Sequence, residues 1–155
     1  RMIIGVPTYD LLPYTNRKVQ EFDIPVAIHN HGPDNPLFPT PQSAYERIAS
    51  MDRRLGLCID VGHTQRAGVD PAESAEKYFD RLFDVHIKDV SAPTAQGKTV
   101  EIGRGVIDIP RVLKTLTRLK FAGTLALEFE KDEKDPLPGS AESIGYLRGV
   151  IAALA

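Results

Sequence analysis

Val26-Ala27-Ile28-His29-Asn30-His31-Gly32 is a short apolar run that ends in a polar tip. Side chains of a strand alternate between its faces, so Val26 and Ile28 share one face while Ala27, His29 and His31 share the other. Two imidazoles on one face at the C-terminal end of a strand are more than a plain core needs. The pattern recurs three times downstream. In Leu57-Cys58-Ile59-Asp60-Val61-Gly62 the aliphatic residues face one way and Asp60 the other. In Phe83-Asp84-Val85-His86-Ile87-Lys88 the apolar residues alternate with Asp84, His86 and Lys88. In Leu125-Ala126-Leu127-Glu128-Phe129-Glu130, Glu128 stands opposite Leu127 and Phe129. Each of these strands carries an aliphatic face and one metal-competent residue near its C-terminal end.

Helical segments separate them. Leu11 to Phe22 has Leu12, Val19 and Phe22 as apolar positions, with Pro13 confining its start. Thr40-Pro41 opens a second helix, with Ala44, Ile48 and Met51 as its stripe. Asp70-Pro71-Ala72-Glu73 opens a third, with Glu73 placed to close a capping box and Ala75, Tyr78, Phe79 and Leu82 on the buried side. Asp108 caps a fourth carrying Val112, Leu113, Leu116 and Leu119. The last carries Ile144, Leu147, Val150, Ile151 and Leu154. Gly32–Thr40, Gly62–Arg66, Asp89–Val106 and Lys131–Gly139 read as loops. Met2–Val6 is a further short strand.

This alternation implies a parallel sheet with right-handed crossovers. Aliphatic faces turned to helices, with polar tips gathered at one end, are the arrangement of a (β/α)8 barrel. A whole barrel typically takes about 250 residues. The chain has 155, and about five strand-helix units. Residues 1–155 are therefore expected to form a single domain, a partial barrel made of its C-terminal units. Its first strand and the Glu128 strand would have open edges, and Ile3, Ala27, Cys58 and Ala126 would line an inner face without an opposite wall. An upstream segment or a second chain is expected to cover those edges.

Composition sets limits on function. With 42% hydrophobic and 26% charged residues, the chain is an ordinary globular sequence. A net charge of -2 offers no basic face for nucleic acid. No apolar run reaches the roughly 18 residues of a membrane span. The single Cys58 forms no internal disulfide, which suits a reducing, cytoplasmic setting; it is expected to pack in the barrel interior.

His29, Asp60, His86 and Glu128 meet only if the strands curl toward a ring. Two imidazoles and two carboxylates suit one divalent ion of borderline character, Mn, Co, Zn or Fe, better than an all-oxygen Mg or Ca site. Any one of them alone would be an ordinary hydrogen-bonded loop residue; the shared phase of all four is the signal. His31 and His63 are candidates for substrate contact, His63 because it follows Asp60 by three residues and reaches the same mouth. Lys88 and Arg104 are candidates for holding an anionic or oxyanionic group. Lys131-Asp132-Glu133-Lys134-Asp135 reads as a solvated charged loop.

Ile28-His29-Asn30-His31-Gly32, Cys58-Ile59-Asp60-Val61-Gly62-His63, His86-Ile87-Lys88-Asp89, Gly103-Arg104-Gly105-Val106-Ile107-Asp108 and Leu127-Glu128-Phe129-Glu130 occur in an order that resembles the sugar phosphate isomerase/epimerase family of xylose isomerase-like TIM barrels. The resemblance runs from about Met2 to Ala155. It implies a metal-dependent enzyme of carbohydrate metabolism acting on a keto sugar, sugar phosphate or related polyol. It also implies a metal held by Glu, Asp, His and Glu in order, of which Asp60, His86 and Glu128 match the last three. His63 matches a histidine that contacts substrate in the sugar epimerases. The departure is at the first ligand, where His29 stands in place of a glutamate. An imidazole still binds metal but does not replace a carboxylate that moves a proton, so of the family's pair of glutamates only Glu128 remains.

The leading expectation is therefore an isomerase or epimerase that abstracts the proton next to a carbonyl, with Glu128 and His63 as the catalytic groups. A dehydratase or lyase of the inosose dehydratase type is the runner-up. A non-catalytic sugar-binding barrel and a DNA-repair endonuclease, which shares the fold, are further alternatives; the acidic balance weighs against the nuclease.

Overall fold

The computed structural model describes residues 1–154. Five strands, β1 (Ile3–Gly5), β2 (Val26–His29), β3 (Leu55–Asp60), β4 (Leu82–Ile87) and β7 (Thr124–Leu127), form one parallel sheet in that order. Between them lie α1 (Leu12–Phe22), α2 (Pro41–Ile48), α3 (Val61–Arg66) and α4 (Pro71–Lys77), then α5 (Ile109–Arg118) before β7 and α6 (Leu137–Leu154) after it. The strand-helix units and the parallel partial barrel are as the sequence indicates.

The outer face of the sheet is the core. Ile28, Leu57, Ile59, Val85 and Ile87 pack in one cluster with Leu12 and Val19 of α1, Ala44 and Ile48 of α2, Ala72 and Ala75 of α4, and Val112, Leu113 and Leu116 of α5. Burying each of the valine, leucine and isoleucine side chains contributes roughly 1.5–3 kcal/mol. Proline opens α2, α4 and α5, each behind a side-chain cap: Thr40 in a reciprocal box with Ser43, Asp70 accepting from the Glu73 N–H, and Asp108 accepting from the Arg111 N–H. The expected box at Asp70 is only half formed, because the Glu73 carboxylate turns to Arg111 instead.

The register sets the inner face. Ile4 aligns with Ala27 and Ala27 with Gly56, while His29 aligns with Cys58, Cys58 with Asp84, and Asp60 with His86. The expectation of Ile3 on this face is corrected to Ile4: Ile3 aligns with Val26 on the helix side. The β3–β4 register slips once, between Leu57 and Cys58. The slip passes over Phe83, whose ring lies where a Cβ on Gly56 would come within 2.3 Å. Ala27 and Cys58 are fully buried, so the middle of the inner face is not open as expected; toward the edge strands Ile4 is 38% exposed and Ala126 is half-buried. Phe22, Ile151 and Leu154 are also exposed despite their helical spacing.

All four segments expected to be irregular contain regular structure; Gly32–Asp34 is a short 3-10 helix and α6 already begins at Leu137. Gly62–Arg66 belongs to α3, because Asp60 at the end of β3 is its N-cap: Oδ1 accepts the His63 N–H at 2.7 Å, and Thr64 Oγ1 donates to the Asp60 carbonyl at 2.6 Å. Asp89–Val106 contains an antiparallel pair, β5 (Asp89–Val90) and β6 (Thr99–Val100). The buried Asp89 carboxylate gathers the backbone between β5 and α5 around itself. Oδ1 accepts from the Val90 and Ile107 amides at 2.9 and 3.2 Å, and Oδ2 from the Gly103 and Gly105 amides, both at 3.0 Å. Gly105 must lack a side chain, since a Cβ there would lie 2.2 Å from Asp89 Oδ1.

Candidate metal centre

The C-terminal ends of β2, β3, β4 and β7 deliver His29, Asp60, His86 and Glu128, and one ligand atom from each lies within 4.8 Å of all the others. His29 Nε2 is 3.4 Å from Asp60 Oδ2 and 3.9 Å from Glu128 Oε2. His86 Nδ1 is 3.3 Å from Glu128 Oε2. Asp60 divides its carboxylate: Oδ1 caps α3, and Oδ2 faces the cluster. Asn30 fixes this end of β3, accepting the Asp60 N–H at 3.0 Å and donating to Thr64 Oγ1 at 3.1 Å.

The donor set fits a divalent ion. His86 Nδ1 and Glu128 Oε2 are both buried and without a hydrogen-bond partner of proper geometry. Buried polar atoms of this kind are costly unless something satisfies them. Two neutral imidazoles and two carboxylates would hold Mn, Co, Zn or Fe.

Charge in the mouth is unevenly shared. Burial disfavours the ionised form of Glu128, but contacts with His86, Asp60 and Lys88 outweigh it and hold its pKa well below the usual carboxylate range. The Glu128 carboxylate in turn raises the pKa of His86. Burial likewise opposes the charge on Lys88, yet Asp60, Glu128 and Glu130 leave its pKa above that of an ordinary lysine. Its Nζ lies 2.7 Å from Glu128, 2.7 Å from Glu130 and 3.2 Å from Asp60. Burial lowers the pKa of His63 to about 4, so that ring is neutral near pH 7. Burial, with the Asp84 and Asp60 charges, pushes the Cys58 thiol far up, which removes it as a nucleophile.

His31 stacks on His63 with ring centroids 4.3 Å apart, and His29 meets His31 edge-on at 5.3 Å. His63 Nδ1 faces Arg66 at 3.4 Å, while its buried Nε2 has no partner among the described residues. Arg104 is not brought to the mouth: its guanidinium forms a two-pronged pair with Glu142 on α6, at 2.6 and 2.9 Å. Reading the residues one by one missed Glu130 and Asn30. Glu130 follows Glu128 by two residues just past β7, and that spacing is the available signal; Asn30 lies out of that phase, and only its partners across β3 reveal it.

The chain belongs to the xylose isomerase-like TIM barrel family, which residues 10–150 match. Among curated proteins it is 24% identical over 144 residues to the rhizopine catabolism protein MocC of Rhizobium meliloti, covering 83% of this chain and 44% of that one. It is 27% identical over 109 residues to an inosose dehydratase of Clostridium botulinum, covering 59% and 37%. The chain thus spans less than half the length of these relatives. Among solved structures, a D-tagatose 3-epimerase-like protein superposes with a TM-score of 0.78 at 21% identity, over 100% of this chain and 65% of that one. The IolI protein with a bound zinc atom superposes with a TM-score of 0.77 at 20% identity, over 99% and 62%. These likenesses establish the fold. Among the described residues no helix is long and apolar enough to cross a membrane.

Proposed function

We propose that the chain carries the metal-binding half of an isomerase or epimerase that acts on a keto sugar, sugar phosphate or related polyol. The observation that carries this reading is the convergence of His29, Asp60, His86 and Glu128 from four strand ends, with His86 Nδ1 and Glu128 Oε2 making no hydrogen bond of proper geometry among the described residues. These four residues would hold a divalent ion, which would supply Lewis acidity to a bound carbonyl and so make the neighbouring C–H more acidic. His31 and His63 form the wall against which a substrate rests. Glu128 and His63 Nε2 are the groups that take and return the proton; His63 enters neutral and so can accept it. His29, Asp60 and His86 keep their positions throughout. β1 and β7 each have a sheet partner on one side only, and further strands, from this protein or a second copy, complete the ring.

A dehydratase is the second reading, favoured by one observation: His29 stands where a second carboxylate base would be needed for two-sided epimerisation. Loss of a β-hydroxyl after the same proton abstraction needs only one such base. The deciding experiment offers keto sugars and inososes with Mn, Co or Zn in deuterated water. Deuterium exchange next to the carbonyl with conservation of the sugar supports isomerisation, and exchange with water loss supports dehydration. Metal binding without any exchange supports a sugar-binding barrel instead.

A further inference from the structure

We infer that the Lys88 ammonium permanently fills a second cation position beside the first, so that the mouth holds one metal ion and not two. This rests on the metal-binding reading above and adds Lys88, His63 and Glu130 to it, with Asp60 Oδ2 and Glu128 Oε2 shared between the two. His63, Glu128 and Glu130 also offer one ligand atom each within 4.8 Å of one another, and Glu128 belongs to both groups. A carboxylate shared between two ligand sets is the geometry of a bridged pair of ions, which lie about 3.5–4 Å apart in two-metal sites. His63 is 4% exposed, and its Nε2 has no partner.

Lys88 is already there. It is 1% exposed, and its Nζ contacts Glu128 and Glu130, both carboxylates of the second set, at 2.7 Å each. Its third near neighbour is Asp60 Oδ2 at 3.2 Å. Of its three N–H donors, one hydrogen-bonds Glu130 at 2.7 Å, while Glu128 and Asp60 meet the ammonium as ion pairs. Its stem is also fixed: a Cβ on Gly62 would lie 2.3 Å from Lys88 Cγ, so the glycine in α3 leaves room for the lysine to run beneath the helix.

Charge balance agrees. The three carboxylates that touch Lys88, those of Asp60, Glu128 and Glu130, supply three negative charges, and Lys88 with one divalent ion supplies three positive ones. A second divalent ion beside Lys88 would leave the pocket with excess positive charge in a half-buried setting, where unpaired charge is expensive. Lys88 thus acts as a built-in monovalent cation that sets the metal count, and it leaves His63 free for substrate.

The test is metal stoichiometry, measured by equilibrium dialysis of the full chain against Mn2+ with elemental analysis. The wild type should bind one ion. Lys88→Met keeps the stem and removes the charge, and should bind two; Lys88→Gln is the second neutral variant should the first fail to fold. Adding His63→Ala to the neutral variant should return the count to one. Two ions on the wild type, or one on a folded neutral variant, overturns the inference and leaves the metal-binding reading standing. A wild type that binds none overturns both.

Discussion

Asp89 and Glu128 are carboxylates that lie just past the C-terminal ends of the neighbouring strands β4 and β7, and their surroundings could hardly differ more. Asp89 accepts four backbone amides, from Val90, Gly103, Gly105 and Ile107, and every one of those donors comes from the segment it organises. Glu128 has His86, His29 and Lys88 around it, and one of its oxygens still lacks a partner of proper geometry. A carboxylate satisfied by the protein's own backbone holds a shape. One surrounded by titratable side chains, with an oxygen outside any well-formed hydrogen bond among the described residues, is open to a further ligand.

The largest expected effect tests the incomplete side. Glu128→Gln should lower turnover by about 10²- to 10⁴-fold, the usual contribution of a positioned acid-base group, and change substrate affinity far less. Proton exchange and metal content are measured on the same variant; full metal occupancy with unchanged exchange would reduce Glu128 to a ligand. Next comes Asp89→Ala. Each buried amide left without an acceptor costs roughly 1–3 kcal/mol, and partial rehydration of the loop brings the expected loss to about 3 kcal/mol in urea unfolding. Metal stoichiometry should not change. A variant of normal stability that no longer binds metal would erase the distinction between the two carboxylates.

Asp60 stands between the two cases, with one oxygen on the α3 cap and the other on the cluster. Asparagine is also a good N-cap, so Asp60→Asn should keep the helix start and weaken metal binding, whereas Asp60→Ala should lose both. The alanine variant is expected to be less stable than the asparagine variant by about 1 kcal/mol. Equal stability would mean that the cap does not matter. The smallest effect lies away from the mouth, at Asp52, whose hydrogen bonds from Arg54 hold its pKa at about 2. A carboxylate depressed in the folded state stabilises the fold above its unfolded pKa of about 3.9, and that contribution is lost as pH falls. The wild type should therefore melt slightly above Asp52→Asn near pH 6, with the gap closing between about pH 4 and pH 2. A gap that widens on acidification would contradict the assignment.

The strands and the four ligand candidates were legible because their signal is local: a two-residue period that puts Ile28 on one face and His29 on the other. What could not be read depends on partners far along the chain. The segment after β5 looks like loop until Asp89 is seen to hold amides 14, 16 and 18 residues away. Arg104 looks available until Glu142, 38 residues on, captures it. The start of α3 is a different kind of miss. Its cap is only three residues from His63, but Gly62 is a poor helix former and Asp60 reads first as a ligand candidate, so its capping role is hidden. Lys88 was visible as a cation, and only the meeting of three strands shows that its neighbours are all carboxylates.

The chain has four histidines, His29, His31, His63 and His86, and all of them line the mouth. An imidazole-selective nuclear magnetic resonance spectrum of this chain is therefore a spectrum of the site alone, with no signal from elsewhere to subtract. Titrating metal or a sugar into a sample labelled at the ring nitrogens would report tautomer, protonation and ligation directly. The same fact carries a warning for purification: a polyhistidine tag would add rings that outnumber the native ones, bury their signals and compete for the ion being measured.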